Sequence, residues 1–437
     1  MACATARRGA KKNPAPFRIP AGRFAVAAAG VLALLAAGCT AEPAGGGAGP
    51  SGTGPSGTGG TAPGSGATEP SSTPAAVPAL AVQVVTGGLR NGWDIGFLPD
   101  GKVLLTERPG RLTLLDRATE GATSSTVEAD FADLNARGEG GLMGLVIHPD
   151  FATSRLFTTC QSHWENGNAV DIRLITWELS ADYRTARRVR DPLVGGMPVN
   201  PSGRHSGCRP TLAPDGSLLV GTGDTARANI SQDRTLLGGK VLRIDLKTGG
   251  PVPGNPFIGS GNPAERLVWT YGHRNVQGVA IQPGTGQAFA SEHGPDVDDE
   301  VNVLRSAGNY GWDPSRGGTV TRYDESVPMT DKQRFPDAVE AIWSSGRPTE
   351  AICAAAFLSG PQWGALDGVL ALTALKGSKL MLLTIGPENK VVHVAVPPEL
   401  DDTHGRLRAA RIGPDGALYV TTDNSRDDKL LRITPRG

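Results

Sequence analysis

The sequence predicts an all-β fold, a six-bladed β-propeller built of four-stranded antiparallel blades. Three observations predict it. A Pro/Asp/Gly turn followed by a short apolar or β-branched run recurs along the chain. Long helical patterns are scarce between the recurrences. The chain also carries 60 glycines and 34 prolines, the turn formers of a protein with many short strands.

The first copy is Leu98-Pro99-Asp100-Gly101, which leads into KVLLTE. His148-Pro149-Asp150-Phe151 precedes RLFTTCQ. LAPDGSLLVGTGD begins at Leu212 and IQPGTGQAFASEHG at Ile281. ALDGVLALTALKG begins at Ala365 without the proline, and IGPDGALYVTTD begins at Ile412. Six copies between Pro99 and Pro414 give a mean period of about 63 residues, enough for four strands and elaborated loops. A β-sandwich or jelly roll is the competing architecture, but neither needs one turn–strand unit repeated six times.

The N-terminus reads differently. Residues 1–38 carry Arg7, Arg8, Lys11, Lys12, Arg18 and Arg23 and no acid. The apolar run Phe24–Ala37 is shorter than the roughly 20 residues a membrane span needs. Residues 1–38 are therefore expected to be a secretory signal. Leu35-Ala36-Ala37-Gly38-Cys39 reads as a lipobox, with Cys39 lipidated and the mature chain held to the membrane outside the cytoplasm. Residues 39–80, rich in Gly, Ser, Thr and Pro, read as a flexible tether that cannot bury enough apolar surface to order itself. Residues 81–437 are left as the propeller domain. The chain has 43 basic and 43 acidic residues, and removing the six cations of the signal leaves an acidic excess. That balance excludes a nucleic-acid binder, which would be basic.

In a propeller, residues distant in sequence converge on one mouth. The recurring runs end in Gln161, Asp224, Glu292 with His293, Lys376 and Asp423, which are expected to form a polar ring. Cys160 and Cys208 fall in consecutive units near one level, so they are the favoured disulfide, with Cys353 left over. His205, in GRHSGCR, is expected to pair with Asp224; a carboxylate behind an imidazole fixes its tautomer and makes a general base. Arg274 and Asn275, in YGHRNVQG, offer donors to a developing oxyanion. SEHGPDVDDEVN, at residues 291–302, crowds five carboxylates around Gly294-Pro295, a composition suited to calcium. Lys376, Arg406 and Arg408 are three cations suited to a polyanionic small molecule. Each motif alone also has a plain structural reading.

Five motifs together, GEGGLMGLVIHPDF, GRHSGCRPTLAPDG, YGHRNVQG, SEHGPDVDDEVN and AGNYGWD, resemble in order the soluble glucose/sorbosone dehydrogenase family. The resemblance covers residues 85–437 and implies a six-bladed propeller that uses pyrroloquinoline quinone (PQQ) and Ca2+. It implies His205 as the base toward a sugar's C1 hydroxyl, oriented by Asp224, with Arg274 and Asn275 at the reacting quinone oxygens. It implies backbone carbonyls of Gly294 and Pro295 at the cofactor-linked calcium, with Glu300 and Tyr310 near a further calcium. Lys376, Arg406 and Arg408 correspond to the cations around the cofactor's carboxylates. The expected partners are a sugar substrate and an external electron acceptor, a quinone or a cytochrome.

Three departures bear on the substrate. Glu139 stands where some members carry an amide that touches substrate. Arg204 stands where some carry an acid, and WSSGRPTEAIC at 343–353 matches the family's substrate loop poorly. A metal-dependent lactonase would need no cofactor cations, and a non-catalytic propeller binding a glycan or protein would need no His205–Asp224 pair.

Overall fold

The computed structural model describes residues 78–315 and 323–436. The expected signal, Cys39 and the tether up to residue 77 lie outside the described residues. Strand β1 (Leu80–Leu89) opens the described fold. The first blade is β2 (Gly92–Phe97), β3 (Val103–Glu107), β4 (Arg111–Leu115) and β5 (Ser124–Val127). The second is β6 (Leu142–Ile147), β7 (Leu156–Glu165), β8 (Asn168–Leu179) and β9 (Ala186–Met197). The third is β10 (Gly207–Leu212), β11 (Ser217–Thr222), β12 (Lys240–Asp245) and β13 (Val268–Tyr271). The fourth comprises β14 (Val276–Ile281), β15 (Ala288–Glu292), β16 (Glu300–Val303) and β17 (Trp343–Ser344). The fifth comprises β18 (Ile352–Phe357), β19 (Leu370–Ala374), β20 (Leu380–Ile385) and β21 (Val391–Ala395). The last blade takes β22 (Leu407–Ile412), β23 (Leu418–Thr422) and β24 (Asp428–Pro435), with β1 as its outer strand. All six sheets are four-stranded and antiparallel, and β1 pairs with β24 from Leu80↔Pro435 to Leu89↔Asp428.

Burial follows position in the blade. The first strands β2, β6, β10, β14, β18 and β22 neighbour one another around a closed ring. They and the second strands are buried almost throughout, whereas β5 and β21 are largely exposed or half-buried. Inner strands are covered on both faces by neighbouring blades, which is why they read as continuous apolar runs. One apolar cluster fills each of the six junctions between blades. Leu174, Val220 and Leu242 join the second blade to the third; Phe289, Leu370 and Leu383 join the fourth to the fifth. Each such leucine contributes about 2 kcal/mol by leaving water.

The structure refines the sequence repeat. Each Pro/Asp/Gly turn links a blade's first strand to its second, so the recurring run is the second strand, not the channel-lining one. Inside the ring, Arg209 stacks over Trp93 with its guanidinium 4.2 Å from the ring centre. Asp94 Oδ1 lies 3.0 Å from Arg209 and its Oδ2 2.8 Å from Arg411. Burial opposes the Asp94 charge, but the two guanidiniums outweigh it and hold its pKa below the ordinary value. This layer packs the channel beneath the mouth.

Candidate active site

The ends of β11, β15 and β23 and the starts of β10, β14 and β22 lie at the same end of the ring. His205 enters just before β10 with a left-handed backbone, φ 51°. The turn before it needs Gly203 at φ 78°, because a Cβ there would overlap the Arg137 carbonyl. The His205 imidazole meets Asp224, just beyond β11, with Nδ1 to Oδ1 at 2.8 Å, and both side chains are almost wholly buried. Asp224 Oδ1 also accepts from the Ala226 amide at 2.8 Å. Its Oδ2 accepts from the Trp312 indole at 2.8 Å and the Tyr323 hydroxyl at 2.6 Å. With Asp224 Oδ1 accepting at Nδ1, His205 carries its proton there and leaves Nε2 as the basic nitrogen.

Arg274 and Asn275 precede β14 and join this cluster. The Arg274 carbonyl accepts from the Asp224 amide at 2.8 Å. Its guanidinium donates to the His293 carbonyl at 2.8 Å and to Glu325 at 2.6 Å. Asn275 receives the Gly207 amide at 3.1 Å and donates to Glu139 Oε2 at 3.0 Å. Glu139 also accepts from Gln277 at 3.0 Å and from the His205 amide at 3.3 Å. Burial raises its pKa, but the fields of His205 and His293 and the Asn275 bond prevail and lower it. His293 is itself pushed down, by burial first.

A cavity of about 410 Å³ opens beside these groups. Asn91, Arg108, Glu139, Arg204, Arg406 and Arg408 line it, together with Asp423. Four guanidiniums face two carboxylates there, a balance suited to an anion. Arg408 is held by Asp423 at 2.5 Å, and Arg204 by Glu325 at 2.6 Å. Arg108 is shifted down, by burial first and then by Arg408 and Arg406. The Nε atoms of Arg108 and Arg274 are buried without a hydrogen-bond partner.

Lys376 behaves differently. It follows β19 at the mouth end, yet its side chain is exposed and does not line this cavity. The expected polar ring is likewise partial. Asp423 reaches the cavity, whereas Gln161 turns to Asp133 and Glu292 to His273. Cys160 and Cys208 are joined by a disulfide between β7 and β10, with Cα atoms 6.2 Å apart, and Cys353 is a buried free thiol.

The acidic stretch folds around Asp299. Its carboxylate accepts from Gly294 at 2.8 Å, Thr349 at 2.7 Å and Glu350 at 2.7 Å. The cross-strand partners Glu292 and Glu300 are both buried. Burial, with the Glu292 charge close by, pushes Glu300 up to about 8. Tyr310 donates to the Val303 carbonyl at 2.6 Å and stacks on His273. Among the described residues no group of three or more His, Cys, Asp or Glu side chains converges as a metal cage.

Sequence reasoning missed Arg108, Trp312's bond to Asp224, Tyr323 and Glu325. Arg108 sits in the β3–β4 turn, where Glu-Arg-Pro-Gly reads only as a turn. Tyr323 and Glu325 lie in the long β16–β17 connection, which carries no repeat signal.

Comparison with known proteins agrees with this layout. The glucose/sorbosone dehydrogenase family model matches residues 89–432. The aldose sugar dehydrogenase YliI of Escherichia coli (strain K12) is 31% identical over 375 residues, covering 83% of this chain and 95% of that protein. The crystal structure of the soluble aldose sugar dehydrogenase from E. coli in its apo form superposes with a TM-score of 0.67 at 28% identity, covering 82% of this chain and all of that one. The PQQ-bound aldose sugar dehydrogenase from Streptomyces coelicolor superposes with a TM-score of 0.63 at 27% identity, covering 82% and 99%. The chain belongs to the glucose/sorbosone dehydrogenase family, a family of oxidoreductases.

Proposed function

We propose that this protein oxidises the C1 hydroxyl of an aldose, or a related hydroxyl or aldehyde hydrate, to a lactone or acid, and passes the electrons to an external quinone or cytochrome. The observation that carries the reading is a buried His205–Asp224 pair beside a guanidinium-lined cavity. PQQ, when bound with calcium, supplies a two-electron hydride acceptor that the metal polarises.

The residues present fit such a group. Arg108, Arg406 and Arg408 would hold its carboxylates, and the unpartnered buried Nε atoms of Arg108 and Arg274 point to a missing acceptor. Lys376, on its exposed loop, would have to swing inward to join them. Arg274 and Asn275 would face its reacting oxygens. Carbonyl oxygens of Gly294 and Pro295 would hold the linked calcium, a set outside any count of side-chain ligands. A cation beside Glu292 and Glu300, with Tyr310 near, would offset the burial and the Glu292 charge that together raise Glu300.

In this reading His205 Nε2 takes the proton from the sugar hydroxyl, and Asp224 stabilises the imidazolium that forms. Arg274 and Asn275 would donate to negative charge developing on the cofactor's oxygens. Glu139, a carboxylate tied by Asn275 and Gln277, is proposed to contact the sugar. We also propose that the chain is secreted and lipid-anchored at Cys39, outside the cytoplasmic membrane; the basic segment, the short apolar run and the lipobox support this.

Purified protein, supplied with calcium and PQQ, should reduce an artificial dye across part of a panel of aldoses. No turnover with any sugar, together with no quinone absorbance retained after desalting, would overturn the reading.

A further inference from the structure

Asp224 is bonded more heavily than a carboxylate that merely orients one histidine requires. Oδ1 serves His205 and the Ala226 amide. Oδ2 serves two aromatic donors from the connection between β16 and β17: the Trp312 indole at 2.8 Å and the Tyr323 hydroxyl at 2.6 Å. Tyr323 also lies 3.3 Å from His205 Nδ1, and its ring sits 5.9 Å from the imidazole and 6.0 Å from the Trp312 ring. Trp312 is fully buried in a small cluster with Val327 and Met329, against which Tyr323 packs. Two residues on, Glu325 bridges Arg274 and Arg204, each at 2.6 Å. The same short segment therefore touches both halves of the site.

We infer that Tyr323 is a positioning residue: with Trp312 it holds Asp224 Oδ2 and so sets how much of the carboxylate's charge is left to the His205 imidazolium. The inference rests on the reading of His205 as the base. Hydrogen bonds to a charged group are stronger than those to a neutral one, so donors on Oδ2 compete with the imidazolium for the same charge. Other charged groups also face the pair. Glu139 holds the His205 amide; His293 lies within its electrostatic reach. Arg274 lies beside Asp224, and buried Lys240 feels its charge. Arg204 and Glu325 pair with each other across the cavity rim.

The test is Tyr323→Phe, read in two ways. In cofactor-free protein, the His205 ring protons are followed by NMR as pH changes. The imidazole midpoint should rise by at least about 0.5 unit, because the freed carboxylate favours the imidazolium. In enzyme supplied with PQQ and calcium, the acid limb of kcat/KM should move up with it. Trp312→Phe removes the other donor to the same oxygen and should shift the midpoint in the same direction, which keeps the test open if Tyr323→Phe does not fold. An unmoved midpoint in both variants, whatever their thermal stability, overturns the inference. If the midpoint moves but wild-type enzyme oxidises no sugar, the positioning role stands and the proposed reaction falls.

Discussion

The molecule contains two buried histidine–carboxylate pairs that look alike on paper. His205–Asp224 and His273–Glu292 each bond through Nδ1 at 2.8 Å, and each joins residues 19 apart across the inner hairpin of consecutive blades. Their surroundings differ. The second nitrogen of His273 is spent on Thr270 at 2.9 Å, its ring is stacked 4.4 Å from Tyr310, and Glu292 also takes the Arg274 amide. Among the described residues no bond is made to His205 Nε2. One pair is a closed structural joint and the other keeps a basic nitrogen in reserve. The repeat supplies the pair; the remaining partners decide whether it can do chemistry.

The contrast is breakable by substitution. The largest effect is expected from His205→Ala: kcat in cofactor-loaded enzyme should fall by at least about a hundredfold with the melting temperature little changed. His273→Ala should do the reverse. It strands the buried Glu292 carboxylate and should cost about 3 kcal/mol in denaturant unfolding, with a smaller loss of turnover. Equal loss of turnover in both variants would erase the distinction.

The disulfide sharpens the comparison, because it anchors only the segment that carries His205. Cys160→Ser combined with Cys208→Ser opens a 48-residue loop and should lower stability by about 2–4 kcal/mol. Turnover should fall less than in His205→Ala. The smallest effect belongs to the far end of the strand that leads to Asp224. Asp215 there is held at about 2, against its own partial burial, by Arg243 and Ser217. A lowered carboxylate stabilises the fold above its unfolded value near 3.8, and the gain is lost as pH falls toward 2. Asp215→Asn should therefore cost less than about 1 kcal/mol at pH 7, since the carboxylate is half exposed to solvent. The difference from wild type should fade between pH 4 and 2 in acid unfolding, and turnover should not change.

Much of the fold was legible because a Pro/Asp/Gly turn marks each inner hairpin, a feature of local backbone chemistry. The outer strands were not individually legible; β5 and β21 are short, exposed and unpatterned. His205 and Asp224 could be paired because they flank one repeat unit. His273 and Glu292 flank the next in the same way, and only their tertiary partners separate the two pairs. Tyr323 and Glu325 reach the site from a long connection, so their role depends on a path that no period predicts. Lys376 shows the opposite failure: the strand end was placed correctly, but backbone position does not decide which way a long flexible side chain points.

The pairing of β1 with β24 has a consequence for how the chain is made. The seam joins residues near 80 to residues near 430, so the last blade stays incomplete until β24 has been made. A product cut short before Asp428 would leave β1 without its neighbour and the outer edge of β23 unpaired. Synthesis of β24 thus becomes a condition for finishing the last blade, and degradation machinery would tell finished molecules from unfinished ones by that exposed edge alone.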